Sequence, residues 1–146
     1  MRCIFVLDIL NCAVVHALRG ERKRYRPIAE FSRIVSTSEP VALLRTLRPR
    51  EIYVADLNML TGQGNNLEAI GDISKWSRAM ADIGISCLAD LSRLPPSVTA
   101  VLGTETASLS LIKEAAAKLI QCGSKAVVSI DMKKGSLLAS DPVLAN

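Results

Sequence analysis

Apolar residues along this chain gather into short runs, each closed by a polar or acidic residue, rather than into long amphipathic stretches. Residues 4–7 are apolar and end at Asp8, the pattern of a strand buried on both faces. Residues 13–18 (AVVHAL) form a second short apolar segment, followed by RGERKRYR and Pro27. Ser38 reads as a helix N-cap, with Glu39 and Pro40 in the first turn of a helix over 41–47 that Pro49 ends. The run EIYVADL (51–57) predicts the next strand, with Asp56 at its end. Gly62 and Gly64 make a flexible loop, and Asn66 is placed to cap a helix beginning LEAIGDISKW. Residues 78–83 have poor strand propensity and are assigned as a strand by their place in the order. Ser86 is expected to cap a short helix over 87–94, stopped by Pro95 and Pro96. Residues 98–102 predict a strand with Gly103 and Thr104 at its end. Ser108 caps a longer helix to about Gln121, which Gly123 terminates. KAVVSI (125–130) is the last clear strand and ends at Asp131; signals over 137–146 are weak.

Strands thus alternate with helices through short connections. That order implies an α/β fold with a parallel sheet and right-handed crossovers. Two arrangements satisfy it, a doubly wound open sheet of flavodoxin-like type or a piece of a barrel, and periodicity does not choose between them.

Composition narrows the class. Hydrophobic residues make up 49% of the 146 residues, aromatics only 3%, and mean hydropathy is +0.28. The core must be aliphatic, and aromatic platforms for single-stranded nucleic acid are not expected. The four cysteines (Cys3, Cys12, Cys87, Cys122) form no CxxC pair and there is one histidine, His16, so no metal site is expected. Neither disulfides nor a membrane span are expected, because no secretory signal is recognisable and the apolar stretch 3–10 is short and broken by Asp8. A cytoplasmic protein is the expectation. The net charge of +4 is localised: residues 19–26 (RGERKRYR) carry all of it, and the remainder is neutral. Such a loop is either a solvated face or a phosphate contact through arginine, and the neutral remainder argues against nucleic acid.

Candidate chemistry lies at the C-terminal ends of the strands, where either architecture places its functional groups. Asp8, Asp56, Gly103 with Thr104, and Asp131 occupy such positions. A single strand-end acid often caps the next helix. The pair Asp8 and Asp131 is more informative. VLDIL and SIDMKKG each put an acid after an apolar run and an apolar pair (Val14-Val15, Leu137-Leu138) a few residues later, like a diverged internal repeat. In an eight-stranded barrel the first and fifth strands lie opposite each other, so these carboxylates would face one another across the mouth, as general acid–base chemistry requires. Gly103, Thr104 and Gly84 suit an approaching anion, or alternatively a plain turn. His16 among apolar neighbours reads first as a packing residue, and Trp76 likewise.

The segments VLDILNCAVVHALRG, YVADLN, NLEAIGDI, DIGIS, VLGTETA and VVSIDMKKG resemble, in order and over residues 3 to about 138, the isomerase and cyclase family of histidine biosynthesis. VLDILNCAVVHALRG looks like the opening of the phosphoribosylformimino-aminoimidazole-carboxamide ribotide isomerase. VVHALRGERKRYRPI is more similar to a side branch found in methanogens and one-carbon-metabolising bacteria. The resemblance implies a single incomplete ribulose-phosphate-binding-type barrel domain over 1–146, a partial (βα)8 TIM-type barrel of about five βα units with parallel strands. It implies an Amadori rearrangement of an aminoaldose to an aminoketose without a cofactor, Asp131 protonating the ring oxygen and Asp8 taking the proton from C2. Gly84, Gly103 and Thr104 match the phosphate site of the first half-barrel, and Asp56, His16 and Arg19 fall in substrate or structural positions. A phosphorylated sugar-type molecule is the implied substrate.

The chain also departs from that pattern. Cys12 stands where the family usually has glycine, the glycine run before the third helix is reduced to Asp82-Ile83-Gly84, and Ser86 replaces a substrate-contacting arginine. Such a barrel needs roughly 230 residues, within the general range of about 200 to 400, so strands six to eight are not represented. The alternative to an active isomerase is therefore a non-catalytic or truncated half-barrel, needing self-association or a complementing chain to cover its edges; no membrane or nucleic-acid partner is expected.

Overall fold

A computed structural model describes residues 1–18 and 20–145. β1 (Phe5–Leu10) turns through Asn11 and Cys12 into β2 (Ala13–His16); a 3-10 turn (Arg22–Arg24) leads to β3 (Arg26–Pro27) and another (Ile28–Glu30) follows. Then come α1 (Pro40–Leu47), β4 (Glu51–Asp56), α2 (Leu57–Leu60), α3 (Leu67–Ser74) and β5 (Arg78–Asp82). A 3-10 helix (Leu88–Arg93), β6 (Thr99–Gly103), α4 (Leu109–Gln121) and β7 (Val127–Ser129) complete the main sheet. A small hairpin, β8 (Met132–Lys133) and β9 (Ser136–Leu137), and α5 (Pro142–Ala145) follow.

The sheet order is β3-β2-β1-β4-β5-β6-β7. β2 and β3 form an antiparallel hairpin extension on one side of β1, while β1, β4, β5, β6 and β7 are joined by parallel pairings only and follow one another in chain order without reversal. A doubly wound sheet must reverse its order at a switch point. This one does not, so it is a piece of a (βα)8-type barrel. Right-handed crossovers that all step the same way put the crossover helices α1, α3 and α4 on one face. Leu7 and Ile9 of β1, Ile52 and Val54 of β4, Ala79 and Ala81 of β5, and Ala100 and Leu102 of β6 share one buried cluster with Leu43, Leu44, Ile70, Ile73, Leu111 and Ala115 from the helices. The alternate strand residues face what would be the barrel interior.

Several local expectations change. The apolar segment after β1 is an antiparallel hairpin arm, with Asp8 opposite Val15 and Leu10 opposite Ala13. Glu39, not Ser38, caps α1, its carboxylate accepting from the Val41 and Ala42 amides. Ser38 is used elsewhere: its hydroxyl accepts from Ala29 N–H (3.0 Å) and its carbonyl from Val14 N–H (2.8 Å), tying the loop to β2. The segment after Ser86 is 3-10 rather than α. The Asp90 carboxylate accepts from the Ser86 and Cys87 amides (2.9 and 3.1 Å), and two prolines follow too soon for another turn. Ser108 does cap α4, accepting from Leu111 N–H at 3.2 Å, and Gly123 ends it at φ +70°.

The internal repeat has a structural form. Asp8 and Asp131 each precede a two-residue hairpin turn by the same interval, Asn11-Cys12 (φ 50° and 61°) in the first case and Lys134-Gly135 (φ 51° and 81°) in the second. Positive φ at both central residues defines a type I′ turn, which favours Asn-Gly. The second repeat has glycine at the second turn position and the first has Cys12. A left-handed conformation costs an L-residue about 1–2 kcal/mol. Cys12→Gly is therefore expected to raise the unfolding free energy by about 1 kcal/mol, read as a higher urea midpoint at unchanged slope; an unchanged or lower midpoint would show that the cysteine side chain supplies compensating contacts.

Candidate active site

Parallel register decides which strand-end acids meet. Asp8 pairs with Ala55 and Ala55 with Asp82, whereas Asp56 pairs with Ile9. Asp8 and Asp82 therefore share the interior face, and Asp56 points with Ile9 toward the helices. Asp56 is fully buried there and satisfied. Its carboxylate accepts from the Asn58 and Met59 amides (3.1 Å each), from Asn66 N–H (2.7 Å) and from Asn66 Nδ2 (2.6 Å). Asn66 stands at the N-cap of α3 as expected but makes no side-chain cap bond; its amide oxygen accepts from Cys12 N–H (2.8 Å), while Asn58 Oδ1 accepts from Asn11 N–H (2.7 Å). This buried network holds the strained β1–β2 turn in place. It accounts for YVADLN and the later asparagine structurally.

On the interior side a cavity of about 680 Å³ opens at the C-terminal ends of the strands. Asp8 of β1 and Asp131 after β7 both line it, with Tyr53 of β4, Asp82 of β5, Glu105 after β6, Arg22 from the basic loop, and Lys133 and Lys134 of the second hairpin. Arg22 Nη2 donates to both Glu105 carboxylate oxygens (3.3 and 3.1 Å), strapping the end of β1 to the end of β6.

Asp131 is held from several sides. Its carboxylate accepts from Glu105 N–H (3.0 Å) and Ser129 Oγ–H (3.0 Å), and its own N–H donates to Thr104 Oγ (2.9 Å). The Thr104 hydroxyl is buried and donates to the Leu138 carbonyl (2.8 Å). Gly103 is placed by packing of charge: a Cβ there would lie 2.9 Å from Asp131 Oδ2 and 3.1 Å from Asp82 Oδ2. The two carboxylates thus converge over a backbone that only glycine leaves open. Gly84, at φ +68°, donates its N–H to Asp82 Oδ1 (2.9 Å), and Tyr53 Oη–H donates to Asp82 Oδ2 (3.3 Å).

Burial pushes the Asp82 carboxyl above the usual carboxylate range, with the Asp131 charge adding to it. Asp8 is also pushed up by burial, which the Arg22 guanidinium opposes. Tyr53 lies among all three aspartates. Burial, then their charges, raise its hydroxyl far above the normal range, so it stays a proton donor. Converging acids with raised proton affinity are the arrangement that proton-transfer sites use.

Of the other candidates, His16 lies on β2 away from the cavity, its ring 4.8 Å from that of Phe31. Arg19 lies outside the described residues. Asp82, Tyr53, Arg22 and Glu105 join the site without having been singled out in the sequence. Asp82 obeys the same strand-end rule as Asp8, but its strand is too weak by propensity to draw attention. Tyr53 is found only by counting alternate positions from Ala55. Among the described residues no group of histidine, cysteine and carboxylate side chains is arranged to hold a metal ion, and no helix is long and apolar enough to cross a membrane.

A family model described as "Histidine biosynthesis protein" matches residues 2–143. An uncharacterized protein of Methanocaldococcus jannaschii is 32% identical over 94% of this chain. The chain spans 59% of the length of that relative.

Two substitutions test the geometry. Gly103→Ala is expected to destabilise by roughly 1–3 kcal/mol, the cost of overpacking a closed site, measured by urea unfolding. Asp82→Asn should act in the opposite direction. The folded state holds Asp82 at a raised pKa, so its ionisation costs stability at neutral pH, and that loss disappears as pH falls through the folded value. Asn is neutral throughout. The variant should be more stable than the parent near pH 7, and the difference should shrink on acidification. A difference independent of pH would show that Asp82 is not strained by its charge.

Proposed function

The chain belongs to the histidine biosynthesis protein family, and from that premise we propose that its cavity carries out acid–base isomerisation of a phosphorylated, sugar-type molecule, an Amadori rearrangement of an aminoaldose to an aminoketose. One observation carries the reading: Asp8 and Asp131, from the first and last parallel strands described, line a single cavity at the catalytic end of a barrel-type sheet. In this reading Asp131 delivers the proton that opens the sugar ring at its oxygen. Ring opening leaves a protonated C1=N Schiff base. Asp8 then removes the proton from C2, so that a C1=C2 bond forms as the C1=N electrons move onto nitrogen. The enolamine becomes the ketone when its C2 hydroxyl gives up a proton and C1 takes one up. Burial suits Asp8 to that work, because a raised proton affinity makes a carboxylate a stronger base. The chemistry calls for no cofactor. Lys133 and Lys134 line the cavity and supply positive charge at its rim for a phosphate. Gly84, Gly103 and Thr104 are the phosphate positions that the family resemblance implies, although the Gly84 N–H and the Thr104 hydroxyl are bonded to Asp82 and to the Leu138 carbonyl. Asp56 and His16 then serve the scaffold.

A second reading concerns assembly and rests on exposed apolar strand residues. Val6 of β1 is 61% exposed, Val128 of β7 47% and Ile130 69%. Among the described residues the outer edge of β7 has no strand partner. Unpaired parallel edges of this kind recruit further strands. The β2–β3 hairpin already covers the edge of β1, and the working enzyme accordingly has the β7 edge covered, by further strands of the same protein, by self-association or by a complementing chain.

Turnover of the ribotide substrate of the related isomerase, followed with the chain alone and in associated form, tests the proposal. Asp8→Asn and Asp131→Asn should each lower kcat by about 10²–10⁴-fold, the usual weight of a general acid or base. Absence of turnover in the associated form, with no loss on either substitution, would exclude this chemistry.

A further inference from the structure

The charge of this protein is arranged differently from the way its sequence suggests. The basic loop is largely neutralised on folding: Arg22 pairs with Glu105, Arg24 with Glu21 and Arg26 with Glu30. Arginines without a carboxylate partner collect at the opposite end of the sheet, where β4 and β5 begin. Arg45, Arg48 and Arg50 are exposed there and enter no ion pair among the described residues, while Lys75 and Arg78 beside them are paired with Asp72 and Glu51. In their midst stands Trp76, the only tryptophan of the chain and 53% exposed. The Arg45 guanidinium lies 5.0 Å from its ring centroid. A depression of about 580 Å³ is lined by Leu44, Arg45, Arg48, Pro49, Arg50 and Trp76.

The patch is rigid. Ser77 Oγ–H donates to the Pro49 carbonyl (2.7 Å) and Arg78 N–H to the Arg50 carbonyl (3.1 Å), so the two strand entries that carry Arg50 and Trp76 are bonded together. It also has a built-in cost. Arg48 occupies the left-handed C-cap of α1 at φ 49°, ψ 49°, where glycine is the unstrained choice. One cation in the last turn already serves the helix dipole, and Arg45 is there.

We propose that this patch is a docking surface for an acidic segment of a partner protein, whose carboxylates pair with Arg48 and Arg50 and whose apolar side chain packs on Trp76. Charge complementarity selects the occupant. Three unpaired arginines around one half-exposed indole are the side-chain types that dominate protein-binding hot spots. A nucleic-acid strand would call for successive aromatic platforms; only one aromatic is present, and Arg45 already stacks on it. Because the patch lies at the end of the sheet away from the cavity, a partner held there leaves the cavity mouth open.

The test uses the whole chain and a labelled peptide of glutamates around one central leucine, with binding followed by fluorescence anisotropy. The peptide should bind saturably, and more weakly as salt is raised. Arg50→Ala and Arg48→Gly should each weaken binding by about fivefold, the upper end for an exposed charge pair. Arg48→Gly should also melt at a higher temperature than the parent, since glycine relieves the left-handed backbone, so its loss of affinity would not reflect unfolding. Failure of the peptide to bind, or binding by both variants as tight as by the parent, would overturn the proposal. So would tighter binding of a single-stranded oligonucleotide of the same charge, which would reassign the surface to nucleic acid.

Discussion

A β-strand offers only every second side chain to one face, and when parallel strands wind in a single direction the two faces acquire separate duties. The rest of this protein follows from that division. The face turned toward α1, α3 and α4 takes Leu7, Ile9, Ile52, Val54, Ala81 and Leu102, an aliphatic set with Phe5 at its margin. The other face carries Asp8, Tyr53, Asp82 and Gly103, and it opens at the strand C-termini into the cavity. A slip of one residue in the β1–β4 register would exchange Asp8 for Ile9 and dismantle core and site together.

The two sets of buried acids illustrate opposite uses of a carboxylate. Asp56 receives four hydrogen bonds from backbone and asparagine donors, and through Asn58 and Asn66 it secures a hairpin turn whose own residues are strained. That is a structural role, fully satisfied. Asp82 and Asp131 instead approach one another across Gly103, and burial, with the Asp131 charge adding to it, gives Asp82 a raised proton affinity. Energy is stored where chemistry is proposed and relieved where the scaffold is built.

Folding also moves the effective charge. Carboxylates distant in sequence, above all Glu105, cancel much of the basic loop, and the loop becomes a strap over the cavity. A group of unpaired arginines stands at the other end of the sheet, beside Trp76. Net charge is a property of composition; its location depends on which side chains the fold brings within reach.

The order of strands and helices, the aliphatic core, the N-cap at Ser108 and the matched acids Asp8 and Asp131 were all legible in the sequence, because each depends on local periodicity or on repetition along the chain. The repeat itself, an acid ahead of a hairpin, was visible as two similar segments. The tertiary structure alone decided that the sheet winds in one direction, since crossover sense is a relation between units distant in sequence. It alone sent Asp56 to the helix side and Asp82 to the cavity, because that assignment rests on register between strands. It alone recruited Tyr53, Arg22 and Glu105, whose spacing along the chain carries no period. Local patterns specify what each segment can become, and pairing between segments specifies which of its faces meets which partner.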